Sequence, residues 1–176
     1  MCTDDSSAAL AILAQLRGGA QAPEVGLSGG DLHRSLGGPQ RGPTELHTGM
    51  GVRCPIDILE VHYVDRNGAH HATAAVNSVV VGTGRRFWTG RWTVLMNGTV
   101  WGAWDLGPRA HPNDGWIDLT DGTLPRRSRR EARRRSVTGS HIPHPDLAQS
   151  RVTEWTDANV GRRRVLVDRV EVPDVV

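Results

Sequence analysis

The sequence predicts an α+β protein in which a fragment of an α/β domain precedes a C-terminal β-sandwich. A short strand, a glycine turn and one or two helical turns follow one another over residues 24–38, an order typical of α/β proteins. Beyond residue 52, seven short apolar segments accompany a single basic helix, and this pattern favours a β-sandwich. We therefore expect two domains, residues 1–43 and residues 52–172, with a Gly-, Pro- and Thr-rich linker over residues 40–51.

Length and composition limit the classes of protein to which this chain can belong. Its 176 residues suffice for one ordinary domain, or for one domain and a fragment of another, and a hydrophobic content of 38% supports a globular core. Cys2 and Cys54 form no C-x-x-C pair, which argues against a zinc site and gives no disulfide framework. The N-terminal apolar run, residues 8–16, is too short to span a bilayer. We therefore expect a soluble protein of the reducing cytoplasm.

The first elements are a helix and a glycine turn. Residues 6–17 predict a short helix with a serine as N-cap, ended by two glycines. A strand over residues 24–27 then leads into Gly29, Gly30 and Asp31, which begin one or two helical turns. This order brings backbone N–H groups up to a phosphate in α/β proteins, although a glycine turn with a purely structural role is the commoner use of such a sequence.

The second half of the chain contains the predicted strands, in seven segments bounded by turn residues. These segments are residues 58–64, 70–81, 91–96, 99–106, 116–120, 152–156 and 163–172. The dipeptide Asn97-Gly98 separates two of them and predicts a tight hairpin turn, because both residues accept positive φ at little cost. Six tryptophans fall mostly in these strands, where they either line a lipid pocket or fill a core that has one Phe and one Tyr.

The loop before one of these strands carries a carboxylate at Asp114. The glycine that follows lets the backbone bend sharply, so the carboxylate and nearby carbonyl groups can converge on a hard cation such as Mg²⁺. An ordinary Asp-Gly turn is the alternative interpretation. The local sequence therefore leaves a metal-binding loop and a simple turn open.

Positive charge is concentrated in one segment, residues 126–135. It contains seven arginines and one glutamate, whereas the net charge of the whole chain is only +2. The segment is either a solvated charged helix or a surface that binds an anionic membrane, since each arginine near such a membrane contributes roughly 1 kcal/mol. Nucleic-acid binding is disfavoured, because neither a recognised fold signature nor interleaved aromatic residues accompany the arginines.

The stretch over residues 93–119, TVLMNGTVWGAWDLGPRAHPNDGWIDL, resembles a segment of the bacterial diacylglycerol kinase and lipid kinase family, in the NAD kinase-like superfamily. In that family a hairpin precedes an Ala-Pro-x-Ala loop and an Asp-Asp-Gly-Leu-Leu-Asp strand. The resemblance implies a structural Mg²⁺ bound by the side chain of Asp114 and by main-chain carbonyls of His111 and Trp116. Asn113 stands where the family has the first aspartate of the pair.

A second segment, GGDLHRSLGGP at residues 29–39, is similar to the family's second nucleotide-contacting segment, Gly-Asn-Asp-Phe-Ala-Arg-Ser-Leu-Gly-Ile-Pro. The resemblance implies that Gly29, Gly30 and Asp31 contact ATP, and that residues 1–43 are a remnant of an α/β nucleotide-binding domain. Gly30 replaces an asparagine of the family, so one polar contact to the nucleotide is lost. The family's first nucleotide segment, Gly-Gly-Asp-Gly-Thr, is not found, so we expect the chain to begin inside that domain.

The family's general base is the glutamate of an Asp-Gly-Glu motif on a C-terminal strand. In the segment VDRVE, Asp168 matches the aspartate, whereas the base position falls on Val170 and Glu171 follows one residue later. Successive side chains of a strand point to opposite faces, so Glu171 replaces the base only where a β-bulge shifts the strand by one residue. Glu171 and Asp168 are therefore the candidate catalytic residues.

Two functions follow as hypotheses. The first is a lipid-kinase-like protein that transfers a phosphoryl group from ATP, with Mg²⁺, to the hydroxyl of a lipid such as diacylglycerol. Its activity is impaired, or depends on a missing segment supplied by a partner chain. The second is a non-catalytic module of the same fold that binds lipid or a membrane surface. Both predict a cytoplasmic protein that acts peripherally at an anionic membrane, and both leave a partner chain or a homodimer open.

Overall fold

The computed structural model describes residues 1–38, 51–84, 86–157 and 163–175, so the predicted linker lies almost wholly outside the described residues. The helices are α1 (Asp5–Arg17), α2 (Gly30–Ser35) and α3 (Arg126–Arg135), and a 3₁₀ turn (Ser136–Thr138) follows α3. The strands are β1 (Leu59–Val64), β2 (His70–Ala75), β3 (Ser78–Gly82), β4 (Trp92–Met96), β5 (Val100–Trp101), β6 (Trp104–Asp105), β7 (Ile117–Gly122), β8 (Leu147–Val152), β9 (Arg164–Val167) and β10 (Val170–Val172).

Six strands form one antiparallel sheet in the order β10-β9-β3-β4-β7-β8. Two further antiparallel pairs, β1–β2 and β5–β6, are not hydrogen-bonded to this sheet. The mixture of helices with antiparallel strands confirms the predicted α+β class. The β-sandwich and the nucleotide-binding character of the N-terminal fragment stay predictions.

The six-stranded sheet carries apolar side chains on both faces, because its central strands β3 and β4 are buried along their whole length. On one face, alternate residues such as Val79, Leu95 and Val167 pack against Leu59 and Ala75 of the β1–β2 hairpin. On the opposite face, the intervening residues of the same strands pack beneath a group of aromatic side chains. The two-residue period of a strand thus supplies two separate cores from one sheet.

The N-terminal helices pack at the end of β2. α1 begins after Asp4, whose carboxylate accepts hydrogen bonds from the backbone N–H and the hydroxyl group of Ser7 at 2.8 Å each. The predicted helix is confirmed, but its cap is this aspartate and not a serine. The predicted strand before the glycine turn is reduced to a single parallel bridge between Cys2 and Leu27. α1 and α2 share a hydrophobic cluster with Val76, which ties them to the strands.

The prediction of a hairpin turn at Asn97-Gly98 is wrong. β4 pairs with β3 and β7, and a tight turn lies further along the chain at Gly102, between β5 and β6. Neither Asn97 nor Gly98 has a positive φ. Asn97 is fully buried, and its Nδ2 donates hydrogen bonds to the carbonyl groups of Asp57 at 2.9 Å and Val76 at 2.8 Å. The asparagine amide therefore joins separate chain segments, which a local turn pattern does not reveal.

Candidate functional site

Asp168 and Arg169 form the turn between β9 and β10. Both have positive φ, 45° and 68°, and the register pairs the residues on either side of the turn directly with each other. The pairing then continues in regular alternation, so that Glu171 lies opposite Leu166. This strand therefore contains no bulge, and the shift that would place Glu171 in the position of the general base is absent from it.

The side chain of Asp168 holds the connection between β2 and β3. Its carboxylate accepts hydrogen bonds from the backbone N–H groups of Val76 at 2.9 Å, Asn77 at 3.0 Å and Ser78 at 2.9 Å. Burial raises the pKa of Asp168, although the three N–H groups act in the opposite direction. These bonds divide the predicted strand over residues 70–81 into β2 and β3, which belong to different sheets.

Asp31 lies close to Asp168. Its Oδ2 accepts a hydrogen bond from the backbone N–H of Gly102 at 2.7 Å, and its Oδ1 lies 3.5 Å from Nη1 of Arg169. Arg34 forms a second ion pair with the same carboxylate. The negative charge of Asp31 contributes to the raised pKa of Asp168. The fold therefore brings together two aspartates that the sequence assigns to separate motifs.

A third buried carboxylate, Asp5, completes this cluster. Its oxygens accept hydrogen bonds from the backbone N–H groups of Asp31 at 2.9 Å and Leu32 at 3.1 Å, and so cap α2. Gly30 makes the contact possible, because it has φ 92° and a Cβ there would lie 2.1 Å from Oδ1 of Asp5. Burial raises the pKa of Asp5 to about 7, and the charges of Asp168 and Asp31 act in the same direction. The sequence indicates only that Asp5 places a favourable charge at the start of α1. Its contacts with α2 could not be predicted, because the residues involved are far apart in the sequence.

The first N–H groups of α2 are therefore occupied by a side chain of the same chain. A phosphate could bind at Asp31 only by displacing the carboxylate of Asp5, and two nearby negative charges would repel it. Gly29 packs closely against the backbone of another segment, because a Cβ there would meet the carbonyl oxygen of Thr3 at 2.5 Å. Gly29, Gly30 and Asp31 thus do not fit the phosphates of ATP as they are placed, and ATP binding stays a prediction that requires a rearrangement.

Glu171 forms a bidentate ion pair with Arg164. Nε and Nη2 of Arg164 each lie 2.8 Å from a carboxylate oxygen. The guanidinium group lowers the pKa of Glu171, which weakens this carboxylate as a base, whereas an effective general base has a pKa near the working pH. The carboxylate of Asp168 is bound at the β2–β3 connection instead. The two candidate catalytic residues therefore contact different partners.

Asp114 lies in the loop that precedes β7. Its Oδ1 accepts a hydrogen bond from the backbone N–H of Trp116 at 3.0 Å, and its Oδ2 pairs with Nη2 of Arg151. The guanidinium carbon of Arg151 also lies 5.7 Å from the ring centroid of Trp116. The carbonyl oxygen of His111 accepts the backbone N–H of Asn113 at 2.8 Å. A cation–carboxylate pair is therefore already present at the predicted metal site.

These contacts do not fit a bound Mg²⁺ as the loop stands. A metal ion at Asp114 would have to displace the guanidinium group of Arg151 from the carboxylate. Within the described parts of the chain, no group of three or more His, Cys, Asp or Glu side chains could hold a metal ion. The Mg²⁺ that the resemblance implies would therefore require Arg151 to move away from Asp114, and melting experiments test whether it does.

We expect the melting temperature of the protein to be the same in Mg²⁺ and in EDTA, because Arg151 already neutralises Asp114. Asp114→Asn is expected to lower the free energy of unfolding, measured by urea denaturation, by about 0.2–1 kcal/mol, as for other partly exposed ion pairs. Asp174→Asn is the control, since it breaks an exposed pair with Arg66. A melting temperature that rises with Mg²⁺ in the parent protein, but not in Asp114→Asn, would establish the metal site instead.

α3 confirms the predicted basic helix, and contacts on one side hold it against the rest of the fold. Ala132 is buried, and Nε of Arg129 donates a hydrogen bond to the carbonyl of Leu124 at 2.9 Å. The guanidinium carbon of Arg133 lies 5.7 Å from the ring centroid of Trp104. No helix among the described residues has the length and the apolar character that crossing a bilayer requires. The helix is thus anchored by one side and leaves its other arginines exposed.

Comparison with known proteins adds no relative: no family model matches the chain, and no curated protein matches it.

Proposed function

We propose that this chain is a non-catalytic, lipid-kinase-like module that binds anionic membrane surfaces. The exposed arginine face of α3 is the observation that carries this proposal. The arrangement of the predicted catalytic groups supports the non-catalytic part, because Asp5 occupies the N–H groups of α2 and Arg164 holds Glu171. The lipid-directed part rests on charge and on the resemblance of the sequence to the lipid kinases.

The exposed face of α3 lies opposite its buried Ala132. Arg126, Arg127 and Arg130 are exposed on this face, and Arg134 shares it while paired with Glu131. Arginine guanidinium groups bind phosphate groups through paired N–H donors. Three engaged arginines would contribute about 3 kcal/mol, which corresponds to weak, reversible and salt-sensitive docking. Insertion is not expected, since this face carries no apolar residue.

Replacing Arg126, Arg127 and Arg130 together with Gln is expected to reduce binding to anionic vesicles by about 100-fold. Co-sedimentation with vesicles of phosphatidylglycerol and phosphatidylcholine measures the binding, with pure phosphatidylcholine as the neutral surface. The substitutions leave the contacts of Arg129 and Arg133 intact, so the helix and its packing are retained. Raising the salt concentration is expected to weaken binding of the parent protein in the same way.

A matched control removes the same charge elsewhere. Arg17, Arg53 and Arg109 are exposed and lie outside α3, so their combined replacement with Gln gives an equal net charge. This control is expected to bind anionic vesicles like the parent protein. Equal losses in the two triple variants, or equal binding to neutral vesicles, would contradict a docking site on α3. Tighter binding to RNA than to vesicles would favour a nucleic-acid partner instead.

A second candidate function is ATP-dependent phosphoryl transfer to a lipid hydroxyl. It is favoured by one observation, the proximity of Asp31 and Asp168, which the resemblance assigns to the nucleotide segment and the catalytic motif. Arg169 follows Asp168 directly and lies 3.5 Å from Asp31. In a kinase, groups that hold the nucleotide and groups that orient the acceptor must lie close together.

We expect no transfer of labelled phosphate from ATP to diacylglycerol above the background of the assay, because the candidate base Glu171 is bound by Arg164. Thin-layer separation of the labelled lipid measures the transfer. A rate of about 1–100 s⁻¹, typical of kinases, would overturn the non-catalytic proposal. If such a rate fell in Glu171→Gln but not in Glu60→Gln, an exposed control on β1, Glu171 would be identified as the base.

A further inference from the structure

The six-stranded sheet has two edges, β10 and β8, and β8 is the longer of them. β8 spans six residues, all in unbroken register with β7, whereas β10 spans only three. β8 contains neither a bulge nor a proline, two features with which proteins commonly block an exposed edge. Its one charged side chain, Arg151, is already paired with Asp114 and Asp118 of the same chain. β8 is therefore open to pairing with another strand.

Alternate residues of β8 direct their backbone N–H and C=O groups away from β7. The N–H of Leu147 donates a hydrogen bond to the carbonyl of His144 at 3.1 Å, so the backbone of Leu147 points to the free edge. Because this direction alternates along an antiparallel strand, Gln149 and Arg151 point the same way. None of the residues that the structure describes forms a backbone hydrogen bond with these two on that side. The edge therefore presents two free N–H donors and two free C=O acceptors.

We propose that β8 pairs with β8 of a second copy of this chain, antiparallel and around a two-fold axis at Ser150. This register places Gln149 opposite Arg151 of the second copy, and Arg151 opposite the Gln149 of that copy. Every free backbone group of the two strands then forms a hydrogen bond across the interface. A two-fold axis at Gln149 would instead bring in Leu147, whose N–H is already bound to His144. The axis at Ser150 is therefore the arrangement that uses the free groups and leaves the occupied ones in place.

The side chains of β8 are compatible with the same register. Ala148 and Ser150 are small and exposed, so they leave room for a neighbouring strand. Ser150 lies opposite its own copy, and Ala148 lies opposite Val152 of the second copy. Hydroxyl pairs and apolar pairs that lie directly opposite each other stabilise antiparallel strands. Because each copy uses β8 once, the contact closes, and the dimer contains one sheet with six strands from each copy.

This inference concerns a surface apart from the exposed face of α3 and does not depend on membrane binding. Sedimentation velocity of the whole chain, from about 1 µM to about 1 mM, measures the association. We expect a reversible equilibrium between monomer and dimer. Ser150→Lys is expected to weaken the dimer by about fivefold or more, because it places two like charges opposite each other at the axis. Gln21→Lys adds the same charge in an exposed loop after α1 and is expected to dimerise like the parent protein.

A parent protein that stays monomeric over this range, species larger than a dimer, or equal dimerisation of Ser150→Lys would overturn the proposal. Should that variant fail to fold, amide hydrogen exchange of the parent decides. The N–H groups of Gln149 and Arg151 are expected to exchange more slowly as the protein concentration rises, because only the dimer binds them. Ala148 and Ser150 are internal controls that change less, since their N–H groups point to β7. Exchange at Gln149 and Arg151 that does not depend on concentration would refute pairing through β8.

Discussion

Replacing Asp168 with alanine is expected to lower the free energy of unfolding by about 3–9 kcal/mol, because each of three buried N–H groups left without an acceptor costs roughly 1–3 kcal/mol. The backbone N–H groups of Val76, Asn77 and Ser78 all lie within 3.0 Å of this carboxylate. The stability of a single domain is only about 5–15 kcal/mol. We therefore expect the variant to melt far below the parent protein, or to be largely unfolded, as measured by circular dichroism and urea denaturation.

Asp174→Ala is the matched control for this substitution. Asp174 also has a positive φ, 59°, but its side chain is 61% exposed. Both substitutions place alanine in a left-handed conformation, so the difference between them isolates the three hydrogen bonds of Asp168. Asp168→Asn is expected to lose less stability than Asp168→Ala, since the amide keeps an oxygen acceptor and tolerates positive φ. Equal losses in the two alanine variants would contradict the structural role of Asp168.

Asp5→Asn is expected to stabilise the protein above pH 7, by up to about 4 kcal/mol. The pKa of Asp5 is raised from 3.8 to about 7, so the folded state retains a proton that the unfolded state releases between these values. The cost of ionising Asp5 is absent below pH 3.8, increases up to pH 7 and is constant above it. The amide oxygen of asparagine can still accept the N–H groups of Asp31 and Leu32, so the cap of α2 is retained.

The parent protein alone does not reveal this effect, because His141 acts in the opposite direction. Burial lowers the pKa of His141 from 6.5 to about 4, so between these values the unfolded state binds a proton that the folded state does not. The protein therefore becomes less stable as the pH falls through that range. In Asp5→Asn this loss is expected to appear as a decrease in stability between about pH 7 and pH 4, where the parent changes less. Urea denaturation across this range measures it, with Asp4→Asn at the exposed cap of α1 as control. A profile parallel to that of the parent would refute the raised pKa of Asp5.

Elements with a strong local pattern could be predicted from the sequence. The helix that begins at Asp5, the strand at 59–64 and the strand at 92–96 match their predicted segments within one residue. Their signals are periodic apolar residues and helix-ending glycines, which act over a few neighbouring positions. The arginine helix was predicted for the same reason. The strand predicted over residues 152–156 is wrong, because β8 ends at Val152 and its residues alternate only weakly in burial.

The contacts that define the site were decided by the tertiary structure. Asp168 ends a strand 91 residues away by binding the N–H of Asn77, and Asp5 caps a helix that begins 25 residues later in the chain. Arg151 pairs with the carboxylate of Asp114, although it lies on a strand that follows α3 in the chain whereas Asp114 precedes α3.

The sequence by itself determined the fold class, the position of the arginine helix and which carboxylates were available, because these depend on residue type and local spacing. Only the tertiary structure decided which groups bind those carboxylates, since buried polar groups take whatever partners the chain brings within about 3 Å, however distant they are in the sequence.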